Sequence, residues 1–393
     1  MRGLGRDFNF LLIARAVSII GDQAALIALI FTVKSHGSWS TAALLGGTSV
    51  AMILTASWVG NLIDRKSIKK VLVATSFLQA ILCFALIYSN LYFVILLNLL
   101  LGAGQAIVVA ATGAWTPTLV EQEKLGKAFG QMQIVLSMAS LAGYGIGGVL
   151  VGKAGISAAL FMDAVSFLLL IPMIYLIKTD RIGNPEVDAR GKMKGGFKIV
   201  WHNASLRALA IAMTAFVTAL MIFNPLEVYL TTDILGAGAT GYGIINMVWA
   251  GSIAVGSIII TKVMKPSWGN ARPAFIAFIV AGISMVGIGY APNLYVLGSI
   301  LAITGIIVAG FNIFIGPLIV RNSVESELGR VNATIGALSS AGSAVGTALG
   351  GFLGHIFPIR FVIAMSGVLA ASTLIFTGKG LLASEKLPTA FEN

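Results

Sequence analysis

Along most of this chain, apolar residues do not alternate with polar ones. They run on unbroken for roughly 18–25 positions at a time, between short charged interruptions. A helix of that length crosses the hydrocarbon core of a bilayer, about 30 Å thick. In lipid only helices and closed barrels satisfy all their backbone groups, and these runs are too continuous for the alternating strands of a barrel. The pattern predicts twelve spans, at 8–33, 42–62, 69–89, 92–115, 128–152, 157–178, 205–233, 240–264, 271–290, 293–317, 330–353 and 358–377. The expected fold class is an all-α polytopic membrane protein.

The hydrophobic pattern pauses at length only once, at 179–204 (TDRIGNPEVDARGKMKGGFKIVWHNA). The expected organisation is therefore a six-helix bundle over 1–178, a cytoplasmic linker over 179–204 and a second six-helix bundle over 205–393. The halves also repeat. PTLVEQEKLGKAFG before span five parallels PLIVRNSVESELGRVNA before span eleven, and a shift of 203 carries Gly143, Gly147 and Gly148 onto Gly346, Gly350 and Gly351. These six glycines are the expected helix-packing positions. A duplicated six-helix unit points to a transporter whose substrate site lies between two rocking halves.

Composition supports the membrane reading: 57% of the 393 residues are hydrophobic and 10% are charged, against about 25% charged in soluble domains. An even number of spans puts both termini on one side. With that side inside, 22 of the 26 Lys and Arg face the cytoplasm. Three lie outside (Lys34, Lys153 and Arg360) and Arg15 lies within a span. The net charge of +11 then faces anionic lipid rather than nucleic acid, for which no basic face with interleaved aromatics exists. The first apolar run has full span length and no small-residue cleavage site, so no cleaved signal is expected. The one cysteine, Cys83, falls in a span and precludes an intrachain disulfide.

Charge is densest in GNLIDRKSIKK (60–70), directly after span two. This stretch resembles the motif between helices two and three of the major facilitator superfamily, G-x-L-a-D-R-x-G-R-[KR]. Gly60, Leu62, Asp64, Arg65 and Lys69 match; Ser67 and Ile68 depart from it. The resemblance implies the twelve-helix fold in two pseudo-symmetric bundles. It also implies close helix packing at Gly60 and a conformational latch in which Asp64 meets the N-terminal end of helix eleven, near Arg330, where the helix dipole favours an anion. RAVSIIGD (15–22), FMDAVSF (161–167), GFKIVWHNASLRAL (196–209) and LGAGATGYGII (235–245) further resemble the drug/proton antiporter branch that includes macrolide and enterobactin exporters. That branch implies a bacterial inner-membrane exporter of amphipathic compounds driven by proton entry. Two positions depart from it. GYGIGG (143–148) has Tyr144 where the antiporter motif has proline, and Asn98 stands where many antiporters carry the helix-four arginine.

Two motifs mimic nucleotide sites. GYGIGG fits G-x-G-x-x-G, with Asp163 twenty residues beyond its first glycine, but it lies inside a span rather than at a strand-to-helix turn. GGVLVGKA (147–154) lacks the Ser or Thr of a phosphate-binding loop, having Ala154 instead. No enzyme signature, cofactor or metal site is expected.

Ionisable residues within spans cost about 2.5–3.5 kcal/mol each at a helix centre, so they are functional candidates. Asp22 lies about 21 Å along helix one from Phe8, and Arg15 about 10 Å below it, too far for direct pairing. Asp22 is the first proton-coupling candidate. Glu227, beside Asn224 and Pro225 in helix seven, is the second. Asp163 reads as a structural hydrogen-bonding group of helix six. Gln23, Asn98, Gln105, Tyr144, Asn224, Asn246, Trp249 and Asn312 are the substrate-cavity candidates, suiting a mostly apolar cavity with few polar anchors. The three histidines fall at loops or span ends, against a histidine relay.

The reading is a monomeric secondary exporter whose partners are protons, the bilayer and an amphipathic small molecule. The alternatives are a siderophore exporter, a lipid flippase, a small-metabolite importer and a non-transporting membrane scaffold or sensor.

Overall fold

The computed structural model describes residues 4–181, 196–263, 271–324 and 327–383. The described residues are helical throughout, without a strand. Twelve long helices are α1 (Arg6–Lys34), α2 (Ser38–Arg65), α3 (Ile68–Ile87), α4 (Leu91–Leu119), α5 (Leu125–Ala154), α6 (Ile156–Leu176), α8 (Ala204–Phe223), α10 (Ala239–Val263), α11 (Ala271–Gly289), α12 (Leu294–Arg321), α13 (Leu328–Ile356) and α14 (Ile359–Ala383). Two short ones, α7 (Gly196–His202) and α9 (Glu227–Tyr229), lie between them.

Among the described residues ten helices are long and apolar enough to cross a membrane, and α2 adds an eleventh if its two arms, bent by 57°, form one span. The helix below that threshold is α13, where span eleven was expected. Its 29 residues suffice in length, but glycine, alanine and serine dilute its hydropathy. The same small residues give it faces that pack closely.

The chain divides into two compact units. One comprises Met1–Asp188 with Gly236–Met247, the other Ala189–Leu235 with Val248–Asn393. In the first, α1 packs on α5 and α6, α3 on α4 and α6, and α2 on α4. In the second, α8 packs on α13 and α14, and α11 on α12 and α14. The capping asparagines and packing glycines repeat at the 203 shift, while the residues that the glycines meet repeat at shifts of 201 in α10 and 198 in α8. Asn90 caps α4 by accepting from the Phe93 N–H (3.2 Å), and Asn293 caps α12 by accepting from the Val296 N–H (3.0 Å). Gly102 lets α4 approach Thr48 and Ala51 of α2, and Gly305 lets α12 approach Trp249 and Ser252 of α10. Gly143 and Gly147 lie against Ile20, Gln23 and Ala24 of α1, while Gly346 and Gly350 lie against Thr218, Met221 and Ile222 of α8. Lipid is as apolar as leucine, so association inside a bilayer relies on such close van der Waals packing.

Three local features depart from the expected spans. The end of the 179–204 linker is not extended: 196–202 form α7, whose Phe197 and Trp201 rings stack at 5.0 Å and whose Gly196 sits against Arg330 and Thr334 of α13. The rest of the linker, 182–195, lies outside the described residues. Helix seven is not one piece either. It stops at Asn224 before Pro225, resumes as α9 and ends in a π-turn over Leu230–Ile234. Proline cannot donate the hydrogen bond that would continue α8. Gly60 is the third. It is exposed, and among the described residues no atom stands within 4 Å of where its Cβ would be, so the close packing implied for it is absent.

Candidate functional site

Asp22 lies in the middle of α1, half-buried, and its Oδ2 accepts a hydrogen bond from Gln105 Nε2 of α4 at 2.7 Å. Two expected site residues are thus brought together in the first unit. Arg15 is buried about two turns earlier on the same helix and interacts electrostatically with Asp22, without a direct ion pair among the described residues. The neighbour that the sequence reading placed apart is Asp163 of α6. Its carboxylate is buried and lies against Gly21, the residue just before Asp22. Asp163 Oδ2 accepts from the Cys83 thiol of α3 (3.2 Å) and Oδ1 from the Ser166 hydroxyl (3.3 Å). Both were visible as polar residues in apolar spans. Their meeting was not, because it depends on which faces of α1, α3 and α6 oppose one another.

The remaining candidates in the first unit take varied positions. Gln23 is half-buried, and its Oε1 has no hydrogen-bond partner among the described residues. Asn98 donates to the Leu44 carbonyl at 2.8 Å and so ties α4 to α2. Tyr144 is half-buried, and its carbonyl abuts Gly243. Asn246 is buried and donates to the Tyr242 carbonyl of its own helix at 3.1 Å. Gly148 and Gly243 stand face to face, and the Thr240 hydroxyl donates to the Gly148 carbonyl at 3.2 Å.

In the second unit, Glu227 is buried at the start of α9, next to the break at Asn224. Asn224 is half-buried and closes the last turn of α8. Trp249 is half-buried against the core that holds Phe216, Phe278 and Phe311, while Asn312 is exposed. Arg330 pairs with Glu327 of its own turn at 3.7 Å.

The charged stretch after α2 has contacts that its charge alone did not reveal. Asp64 is half-buried in the last turn of α2 and Arg65 is exposed. The two departures from the family motif both serve local structure. The Ser67 side chain caps α3 by accepting from the Lys70 N–H (3.3 Å), and its hydroxyl donates to Asp180 Oδ2 (2.5 Å). The Ile68 N–H donates to the Arg181 carbonyl at 3.0 Å. Asp7 Oδ2 accepts from the N–H groups of Lys178 (3.0 Å) and Thr179 (2.9 Å). The segment leaving α6 thereby staples the ends of α1 and α3.

Among the described residues no group of three or more His, Cys, Asp or Glu side chains is placed to hold a metal ion.

Long apolar helices, packed into two compact units in which the helix-packing glycines recur, are the architecture of a polytopic membrane transporter. The Major Facilitator Superfamily pattern matches residues 11–313, and the chain belongs to that superfamily. It is 23% identical over 376 residues to macrolide efflux protein A of Streptococcus pyogenes, covering 90% of this chain and 91% of that one. It is 24% identical over 389 residues to the enterobactin exporter EntS of Shigella boydii serotype 18, covering 95% and 89% respectively. Its fold is shared with a crystal structure of a variant of the nucleoside transporter NupG, at a TM-score of 0.78 and 12% identity, covering 96% of this chain and 100% of that one.

Proposed function

We propose that this protein exports amphipathic small molecules across a bacterial inner membrane in exchange for protons, working as a monomer with both termini in the cytoplasm. The observation that carries the reading is Asp22, a carboxylate in mid-helix held by Gln105 at 2.7 Å. An ionised acid in a membrane helix is costly, and packing alone would be served by an amide. An acid that takes up and releases a proton carries its charge in only part of the cycle. The likeness to two exporters along nearly the whole chain supports outward transport.

In this reading Asp22 is protonated from outside and releases its proton inside, with Glu227 as the second coupling group. Gln23, Gln105, Tyr144, Asn224, Asn246 and Trp249 supply the few polar anchors for a largely apolar substrate, and Asn98 secures α2. Asp64 with Arg330, flanked by Gly60 and Arg65, acts as the latch between alternating states. A siderophore exporter is the second reading, favoured by the likeness to EntS.

The test is a transport panel in inverted membrane vesicles under an imposed pH gradient, with a macrolide, a cationic dye and a catecholate siderophore as probes. Gradient-dependent accumulation of the macrolide or the dye is expected. Accumulation of the catecholate alone would move siderophore export to first place. Gradient-independent movement of all three would contradict proton antiport.

A further inference from the structure

Buried polar groups of the first unit gather near the level of Asp22, with Arg15 about two turns earlier on α1, and the mechanism above uses only some of them. Asp22 and Arg15 come from α1, Cys83 from α3, Gln105 from α4, and Asp163 with Ser166 from α6. What brings the two acids together is Gly21. A Cβ there would collide with the Ser166 hydroxyl and the Asp163 carboxylate, so the approach of α6 to α1 requires glycine at the position just before Asp22.

Charge balance at this level is incomplete. Two carboxylates face one guanidinium within membrane-spanning helices, where an uncompensated buried charge is strongly disfavoured. The other titratable groups of the packed helices do not alter the count. Cys83 already donates its thiol proton to Asp163. Tyr92, the one titratable side chain of α4, is exposed near its start, and α5 offers Tyr144, with Lys127 and Lys153 exposed near its ends.

A second observation concerns groups left without partners. The Nε and Nη1 atoms of Arg15 are buried and make no hydrogen bond among the described residues, and the residue, only 6% exposed, acts electrostatically on Asp22. The Ser18 hydroxyl, one turn before Asp22, is directed at the Asp22 carboxylate without reaching ordinary hydrogen-bond geometry. Gln79, one turn before Cys83, has both ends of its amide buried and, among the described residues, without a hydrogen-bond partner. Spare donors and acceptors around two acids suit a proton that moves.

We propose that Asp22 and Asp163 form one proton-binding unit, in which Arg15 offsets one carboxylate and the transported proton offsets the other. The proposal rests on the proton-coupled reading and adds a second acid to it. One O–H bond forms when the unit loads from one side of the membrane, and the same bond breaks when it unloads to the other. Asp163 is then a coupling residue, with Cys83 and Ser166 orienting its two oxygens.

Infrared difference spectroscopy of the full chain in lipid, stepped through pH in an E227Q background, reads the protonated carboxyl directly and needs no substrate. The expected result is a protonated-carboxyl band with the amplitude of one proton. Asp22→Asn and Asp163→Asn should each shift the titration midpoint of the acid that remains by about one pH unit or more, as for groups that titrate as a pair. The double variant should abolish the band. Where Asp163→Asn fails to fold, Asp163→Glu stands in for it and should also move the midpoint. A midpoint unmoved by the Asp163 variants, or two independent one-proton titrations, overturns the proposal. Replacing potassium by sodium should leave the band unchanged; its loss in sodium would assign the site to that ion instead. Vesicles lacking proton-driven export while this coupled titration persists would count against the transport reading alone, and the reverse pattern against the acid pair alone.

Discussion

Gly147 of α5 and Gly60 of α2 are the same amino acid in two helices of the first unit, and their surroundings set opposite costs for a methyl group. A Cβ on Gly147 would stand 2.5 Å from the Ala24 Cα of α1, a backbone atom that cannot rotate away. Gly147→Ala should destabilise the fold by about 1–3 kcal/mol, the usual range for overpacking. Gly60→Ala meets open space, and alanine favours a helix over glycine by up to about 1 kcal/mol, so it should be neutral or stabilising. Thermal unfolding of the two variants in one detergent checks both signs. The packing glycines were legible because the repeat places them at one shift in two helices. The role of Asp163 was not, since a lone acid in an apolar run looks the same whether it faces a thiol, a lipid or a second acid.

At the level of elements, the long apolar runs made the helices readable, because length and continuity are all that a span requires. The staple at 178–181 was not readable. It consists of single hydrogen bonds between residues more than a hundred positions apart, and no periodicity announces them. Asp180 accepts from the Ser67 hydroxyl and from the Lys69 N–H. Asp180→Ala should remove about 1 kcal/mol of local stability, within the net range for hydrogen bonds. Amide exchange over 68–70 should then quicken by roughly fivefold, with Asp180→Asn intermediate because its carbonyl still accepts. Unchanged exchange in both variants would mean that the segment only rests on α3. The break in helix seven was half legible: Pro225 marked it, but the π-turn that follows has no sequence sign of comparable strength.

For the whole molecule, the acids in membrane helices outnumber the bases. Asp22, Asp163 and Glu227 stand against Arg15, and the position that carries an arginine in many antiporters is Asn98. Adding an anionic substrate to such surroundings means desolvating like charges together. Cationic and neutral amphiphiles should therefore compete for transport more strongly than a catecholate, and Glu227→Gln should weaken competition by the cation more than by the neutral compound. Stronger competition by the catecholate would refute this electrostatic argument. Substrate identity itself was never legible, because apolar helices with few polar anchors carry little chemical signature. The central claim is that Asp22 couples proton entry to export. It is tested most directly by pH-gradient-driven uptake of a transported macrolide or dye into inverted vesicles carrying Asp22→Asn. The account predicts normal expression and retained binding, with gradient-driven uptake lost; uptake equal to that of the unmodified protein would contradict it.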